Sequence, residues 1–195
     1  PNRVLARVRC EQVLNQARQE GDSAALLFLD LDNFKNINDV HGHQAGDKVL
    51  RETAERLKAC VRSSDTVARL GGDEFVIMLE HLDLSSEESA SQVEQIGLKI
   101  VADLDRPYVL GELPLRSSVS IGVALFNDAG DSVDELMMRA DLSMYEAKTA
   151  GKNTLRFFDP QMQRSVSERL RLEESIRLGL QRNEFCFYIQ PQYAE

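Results

Sequence analysis

The sequence predicts a mixed fold of helices and strands arranged around a glycine-cornered hairpin, and three observations carry that expectation. First, Arg69-Leu70-Gly71-Gly72-Asp73-Glu74-Phe75 sets a glycine pair between two runs of strand character, Asp65 to Leu70 and Phe75 to Leu79. Two adjacent glycines let both central residues of a tight turn take positive φ without a Cβ clash, and leave Asp73 and Glu74 at an exposed tip. Second, Ala24 to Leu31 is a short unbroken apolar run, the pattern of a strand buried on both faces. Third, longer segments between these runs carry apolar residues at helical spacing.

At 195 residues, 43% hydrophobic and 28% charged, the chain can bury a core and has the make-up of a soluble globular domain plus a fragment of another. A net charge of -9 excludes a general nucleic-acid binder, so any phosphate binding must be local. No run reaches membrane-span length, and no charged-then-apolar leader opens the chain. Beginning at Pro1 without methionine, it reads as a piece of something longer. Membrane attachment of the intact protein would have to come from segments upstream. Cys10, Cys60 and Cys186 have no metal-like spacing and read as buried thiols in a reducing cytoplasm.

In chain order, Val4, Leu5, Val8, Val13, Leu14 and Ala17 mark an amphipathic helix ending near Gly21. The apolar strand follows and closes on Asp30-Leu31-Asp32, whose two carboxylates point to one face. A buried carboxylate must be paired or hold a cation, which makes Asp30 a metal-ligand candidate, while Asp32 reads as the cap of a helix over 33–40. That helix's N-terminus suits an anion. Asn38 offers a donor and an acceptor and Asp47 accepts from paired N–H groups, a combination that matches the edge of guanine and leaves adenine unmatched. The competing roles are a turn residue for Asn38 and, for Asp47, the N-cap of a helix over 48–61 with its stripe Val49, Leu50, Ala54, Leu57 and Val61. Lys35 is equally a solvated charge and His43 a structural histidine. Arg62 and Asp65 read as a surface turn with an ion pair worth little. A helix carrying Val93, Ile96, Ile100, Val101 and Leu104 is ended by Arg106-Pro107; a small hairpin over 108–114, an interior strand over 115–126, a helix opened by the capping box Ser132-Val133-Asp134-Glu135, and a last strand over 154–158 complete the domain. Asp159-Pro160 marks its boundary, with a helix through Val166, Leu170, Ile176 and Leu180 and a strand over 184–190 beyond.

The hairpin string, with Asp30-Leu31-Asp32-Asn33-Phe34-Lys35, Gly42-His43-Gln44-Ala45-Gly46-Asp47 and Lys148 to Asn153, resembles the GGDEF family of diguanylate cyclases over residues 1–158. The resemblance implies an α+β palm-like fold, an antiparallel-centred sheet with helices packed over it. It implies condensation of two GTP into cyclic di-GMP and two pyrophosphates by a homodimer. Mg²⁺, or Mn²⁺ in its place, would sit on Asp30, the Leu31 carbonyl and Asp73, with Asp73 or Glu74 taking the proton. Substrate contacts would come from Asn33, Phe34, Lys35, Asn38, His43, Asp47, Gly71, Gly72, Lys148 and Lys152. Lys152 stands where the family usually has arginine, keeping the charge without the bidentate fork. Arg62 and Asp65 match an Arg-x-x-Asp product-binding site that inhibits the enzyme. Residues 159–195, through Phe185 to Tyr193, resemble the opening of an EAL phosphodiesterase domain without its catalytic segment, so no phosphodiesterase activity is expected of these residues. The rival reading is a non-catalytic module that binds GTP or cyclic di-GMP and regulates an attached EAL domain.

Overall fold

The computed structural model describes residues 3–82, 86–110, 113–126 and 131–159, together with Ile176. The chain divides into two units, Pro1–Asp159 and Pro160–Glu195. Apart from Ile176, the helix and strand expected beyond Pro160, including Cys186 and the EAL-like string, lie outside the described residues.

The elements run α1 (Arg3–Glu20), β1 (Ser23–Leu31), α2 (Phe34–His41), α3 (His43–Cys60), β2 (Thr66–Gly71), β3 (Glu74–Leu82), α4 (Ser86–Leu104), β4 (Tyr108–Leu110), β5 (Leu113–Leu115), β6 (Val119–Phe126), α5 (Val133–Thr149) and β7 (Thr154–Phe157). Five strands form one sheet in the order β2-β3-β1-β6-β7, with β1 antiparallel to both neighbours and β6 parallel to β7. The expected α+β, antiparallel-centred sheet is what the chain forms. Strands β4 and β5 pair apart from it as the small hairpin.

Because side chains alternate along a strand, β1 feeds two cores at once. Ala25, Leu27, Leu29 and Leu31 join the core under α2, α3 and α4, while Ala24, Leu26 and Phe28 join the core under α1 and α5. By the same alternation Asp30 falls on the α1/α5 side of the sheet. A one-residue slip would exchange the two apolar sets and turn both aspartates to the wrong layer, so burial on both faces locks the register that positions the site.

Helix α5 approaches the sheet closely at Gly122, where an added Cβ would lie 1.9 Å from the Ala140 carbonyl oxygen and 2.2 Å from the Met144 nitrogen. Its start is the expected capping box: Ser132 accepts from the Glu135 amide, and Glu135 accepts from the Ser132 amide. The apolar stripe expected of α1 is only half a core face. Cys10, Val13, Leu14 and Ala17 are buried with Ala6, whereas Val4, Leu5 and Val8 are exposed on another side of the helix. Positions 6, 10, 13, 14 and 17 share one helical face that 4, 5 and 8 do not.

Candidate active site

The site forms where β1 ends. In the β1/β3 register Asp30 lies directly across from Glu74, so two carboxylates on neighbouring strands face the same layer. The hairpin corner folds back against this point, and the Leu31 amide donates to the Asp73 carbonyl at 3.4 Å. The corner differs from expectation in one respect. Gly71 pairs with Glu74 as the closing rung, so the central residues are Gly72 and Asp73, and only Gly72 takes positive φ, at 51°. Arg69 ties the corner down, donating to the Gly72 carbonyl through Nε at 2.9 Å and Nη2 at 2.6 Å. A Cβ at Gly71 or Gly72 would meet nothing within 4 Å, so the backbone there is open to a ligand lying flat against it.

Asp30 is nearly buried, and the Lys148 ammonium of α5 meets its carboxylate at 2.8 Å. Burial pushes the Asp30 carboxyl above the usual range; the Lys148 hydrogen bond opposes this, while the charges of Asp73 and Asp32 add to it. The donors gathered here are carboxylate and carbonyl oxygens, the hard ligands that Mg²⁺ takes, usually one or two carboxylates completed by substrate phosphates. Among the described residues no group of three or more His, Cys, Asp or Glu is placed to hold a metal ion.

Asp32 does not cap α2. The N-cap is Asn33, at φ 59° and with no side-chain capping bond. The Asp32 carboxylate instead accepts from Ser118 Oγ at 2.6 Å, Ser120 Oγ at 2.7 Å and the Asn153 amide at 3.1 Å. Burial rules out an exposed capping role, because at 2% exposure a charged group must find several donors, and β6, the residue just before it and the α5–β7 turn supply them. The alternation of Ser118 and Ser120 along an apolar strand was the only sequence signal for this network. Its effect is to hold the turn carrying Lys152, whose ammonium donates to Asn33 Oδ1 at 2.8 Å. Lys152 therefore stands beside the opening of α2, and Lys148 beside Asp30 at the end of β1. Phe34 buries its ring in the core and offers only its backbone to a ligand, while Lys35 is exposed.

Helix α3 begins at His43, five residues before the expected start, so Asp47 is not its N-cap but an exposed residue of its second turn. The early start lets Gly46 face α2, where an added Cβ would fall 2.1 Å from Asn38 Oδ1. Asn38 thus lies against the backbone next to Asp47. Asp47 lines a cleft of about 380 Å³ with Leu50, Arg51, Arg69 and Phe75, between α3 and the β2–β3 hairpin. His43 is exposed at the first turn of α3.

Arg62 and Asp65 stand apart from this centre. The Arg62 amide donates to Asp65 Oδ2 at 2.8 Å and the Glu80 amide to Oδ1 at 3.2 Å, so Asp65 organises the loop by backbone bonds rather than by the ion pair read from the sequence. Both residues line a second cleft, of about 530 Å³.

The description "Diguanylate cyclase, GGDEF domain" matches residues 1–154. The bifunctional diguanylate cyclase/cyclic di-GMP phosphodiesterase MucR of Pseudomonas aeruginosa is 40% identical over 192 residues, 98% of this chain and 27% of that protein. The solved GGDEF domain of TpbB, also called YfiN, from the same organism superposes with a TM-score of 0.80 at 36% identity, covering 86% of this chain and 95% of that one. The coiled coil and GGDEF domain of DgcB from Caulobacter crescentus, solved in complex with c-di-GMP, superposes with a TM-score of 0.72 at 28% identity over 80% of each chain. The chain spans about a quarter of the length of the curated relatives it matches. With a five-stranded sheet shared with these structures and a family match covering most of its residues, the chain belongs to the GGDEF diguanylate cyclase family.

Proposed function

We propose that this domain is a diguanylate cyclase that joins two GTP into cyclic di-GMP with release of two pyrophosphates. The observation that supports the reading is the end of β1, where Asp30 lies across from Glu74 and pairs with Lys148 while the Asp73 carbonyl accepts from the Leu31 amide. In each half-reaction a 3′-oxygen forms a bond to the α-phosphorus of the other nucleotide, the bond from that phosphorus to pyrophosphate breaks, and the hydroxyl proton leaves to Asp73 or Glu74. Lys148 and Lys152, with the amides opening α2, hold the triphosphate. Asn38 and Asp47 read the guanine edge, His43 adds a substrate contact, and bare backbone at Gly71 and Gly72 admits the nucleotide. Asp30, Asp73 and the Leu31 carbonyl are the residues that would hold Mg²⁺, or Mn²⁺ in its place. Such an ion, when bound, acidifies the 3′-hydroxyl and offsets charge on the attacked phosphate.

Cyclic di-GMP binding at the Arg62–Asp65 cleft would inhibit the reaction, a reading supported by the exposed Arg62 that lines the cleft. The second reading, a nucleotide-binding module serving an attached EAL domain, is favoured by one observation: Lys148 already neutralises Asp30.

Incubating the protein with GTP and Mg²⁺ and separating the products by chromatography decides between them. Cyclic di-GMP should appear, and Asp73→Ala should remove it, lowering the rate by at least about a hundredfold, on the order of what losing a charge-stabilising group costs. Tight GTP binding with no product at high protein concentration would favour the module, and full activity of Asp73→Ala would move the catalytic centre elsewhere.

A further inference from the structure

The larger cleft has a wall that the Arg-x-x-Asp pattern does not include. Its lining comes from the loop after α3, with Arg62 and Asp65, from Lys58 of α3, and from Leu5, Val8 and Arg9 of α1. Its volume, about 530 Å³, falls in the range of roughly 300–1,000 Å³ usual for small-molecule sites. Arg9, Lys58 and Arg62 bring three cations to this one cleft in a chain whose net charge is -9. Leu5, Val8, Val61 and Val67 give it apolar surface as well. Cations beside apolar walls suit a ligand that joins phosphate to flat heterocycles.

Arg9 is the unexpected member. Its guanidinium contacts among the described residues are long: Nε to Thr66 Oγ1 at 3.4 Å, Nη1 to Gln12 Oε1 at 3.4 Å and Nη2 to Glu80 Oε1 at 3.8 Å. The last exceeds hydrogen-bond range, and Glu80 Oε1, though buried, has no hydrogen-bond partner. About half of the Arg9 side chain remains exposed. A guanidinium with five donors and no short bond among the described residues can turn to an incoming phosphate while giving up little.

We propose that α1 is a third wall of the product cleft and that Arg9 contacts a phosphate of bound cyclic di-GMP, trading its loose contacts with Thr66 and Glu80 for that bond. The proposal rests on the reading of the Arg62–Asp65 cleft as the product site, and it adds regulation to it. By linkage, whatever fixes α1 against the sheet tightens product binding, and bound product steadies α1 in return.

Titration calorimetry of cyclic di-GMP into the whole chain tests this. Arg9→Ala should weaken binding about tenfold or more, as expected for a lost hydrogen bond between charged groups, and Arg9→Lys should recover part of the loss. Glu80→Gln separates contact from scaffolding. If Arg9 touches the product, removing its Glu80 partner leaves affinity unchanged or higher; equal weakening by Arg9→Ala and Glu80→Gln would mean that Arg9 only anchors α1, and the proposal fails. Arg62→Ala separates this inference from the reading beneath it. Weakening by Arg62→Ala but not by Arg9→Ala overturns the role of Arg9 and keeps the product site. Unchanged affinity in both variants, or no binding by the native chain, overturns the product site and the inference together.

Discussion

Asp30 carries its charge in a place that disfavours it. Burial, with Asp73 and Asp32 nearby, raises its pKa against the pull of Lys148. The folded state therefore binds the Asp30 proton more tightly than the unfolded chain does, whose aspartates titrate near about pH 3.9. Ionised Asp30 thus destabilises the fold at neutral pH, and that penalty fades as pH falls through the raised folded pKa and is gone below the unfolded one. Asp30→Asn should accordingly melt above the native protein at neutral pH, with the gap closing toward about pH 4, while GTP turnover is lost. Lys148, about one-third exposed, can be hydrated once its partner is neutral. Thermal melts of both proteins across this range check the sign; a lower melting temperature for Asp30→Asn at neutral pH would show that the ion pair outweighs desolvation. A residue that weakens the fold where the proposed chemistry needs it is the trade expected of an active-site carboxylate.

At the scale of elements, α2 and α3 meet through Gly46, and this contact gives the guanine reading its own test. A methyl group there would need the space of Asn38 Oδ1, at 2.1 Å, and would press on the Phe34 ring at 3.0 Å. Gly46→Ala should push Asn38 aside and raise the KM for GTP about tenfold or more, with discrimination against ATP falling in step, because one buried donor–acceptor set would be lost. Helix propensity alone favours alanine, so a circular dichroism spectrum that keeps its helical signal alongside a raised KM would separate recognition from folding. An unchanged KM would remove Asn38 from base recognition. The same glycine explains where sequence reading went astray. With Asp47 read as a rival N-cap, α3 was expected to start at Lys48, and only the close packing of Gly46 on α2 shows why glycine is needed inside the helix. The buried strand β1 and the α5 capping box were legible because an unbroken apolar run and a Ser-x-x-Glu spacing are local patterns. The Asp32 network was not, since its partners at Ser118, Ser120 and Asn153 are joined to it only by the sheet and the α5–β7 turn. The half-exposed stripe of α1 was misread for a related reason: hydrophobicity marks what can be buried, not which face the fold chooses.

For the whole molecule, the proposed product would set the geometry. Cyclic di-GMP contains two equivalent nucleotides, whereas the proposed residues Asp30, Asp73, Lys148 and Lys152 would amount to one triphosphate site. Ring closure by the proposed reaction would then require two copies to present their hairpin corners to each other. Turnover per mole of protein should fall on dilution, approaching proportionality to protein concentration once monomer dominates. Charge makes this prediction sharper. Each copy carries a net charge of -9, so approach of two copies is opposed by long-range repulsion that salt screens over a Debye length of about 10 Å at 0.1 M. Raising ionic strength from about 0.01 to 0.1 M, a tenfold change that shortens that length roughly threefold, should shift the dilution curve to lower protein concentration while leaving its plateau in place. A per-protein rate that holds constant on dilution at both ionic strengths would mean that a single domain closes the ring alone, and the face-to-face arrangement would have to be abandoned.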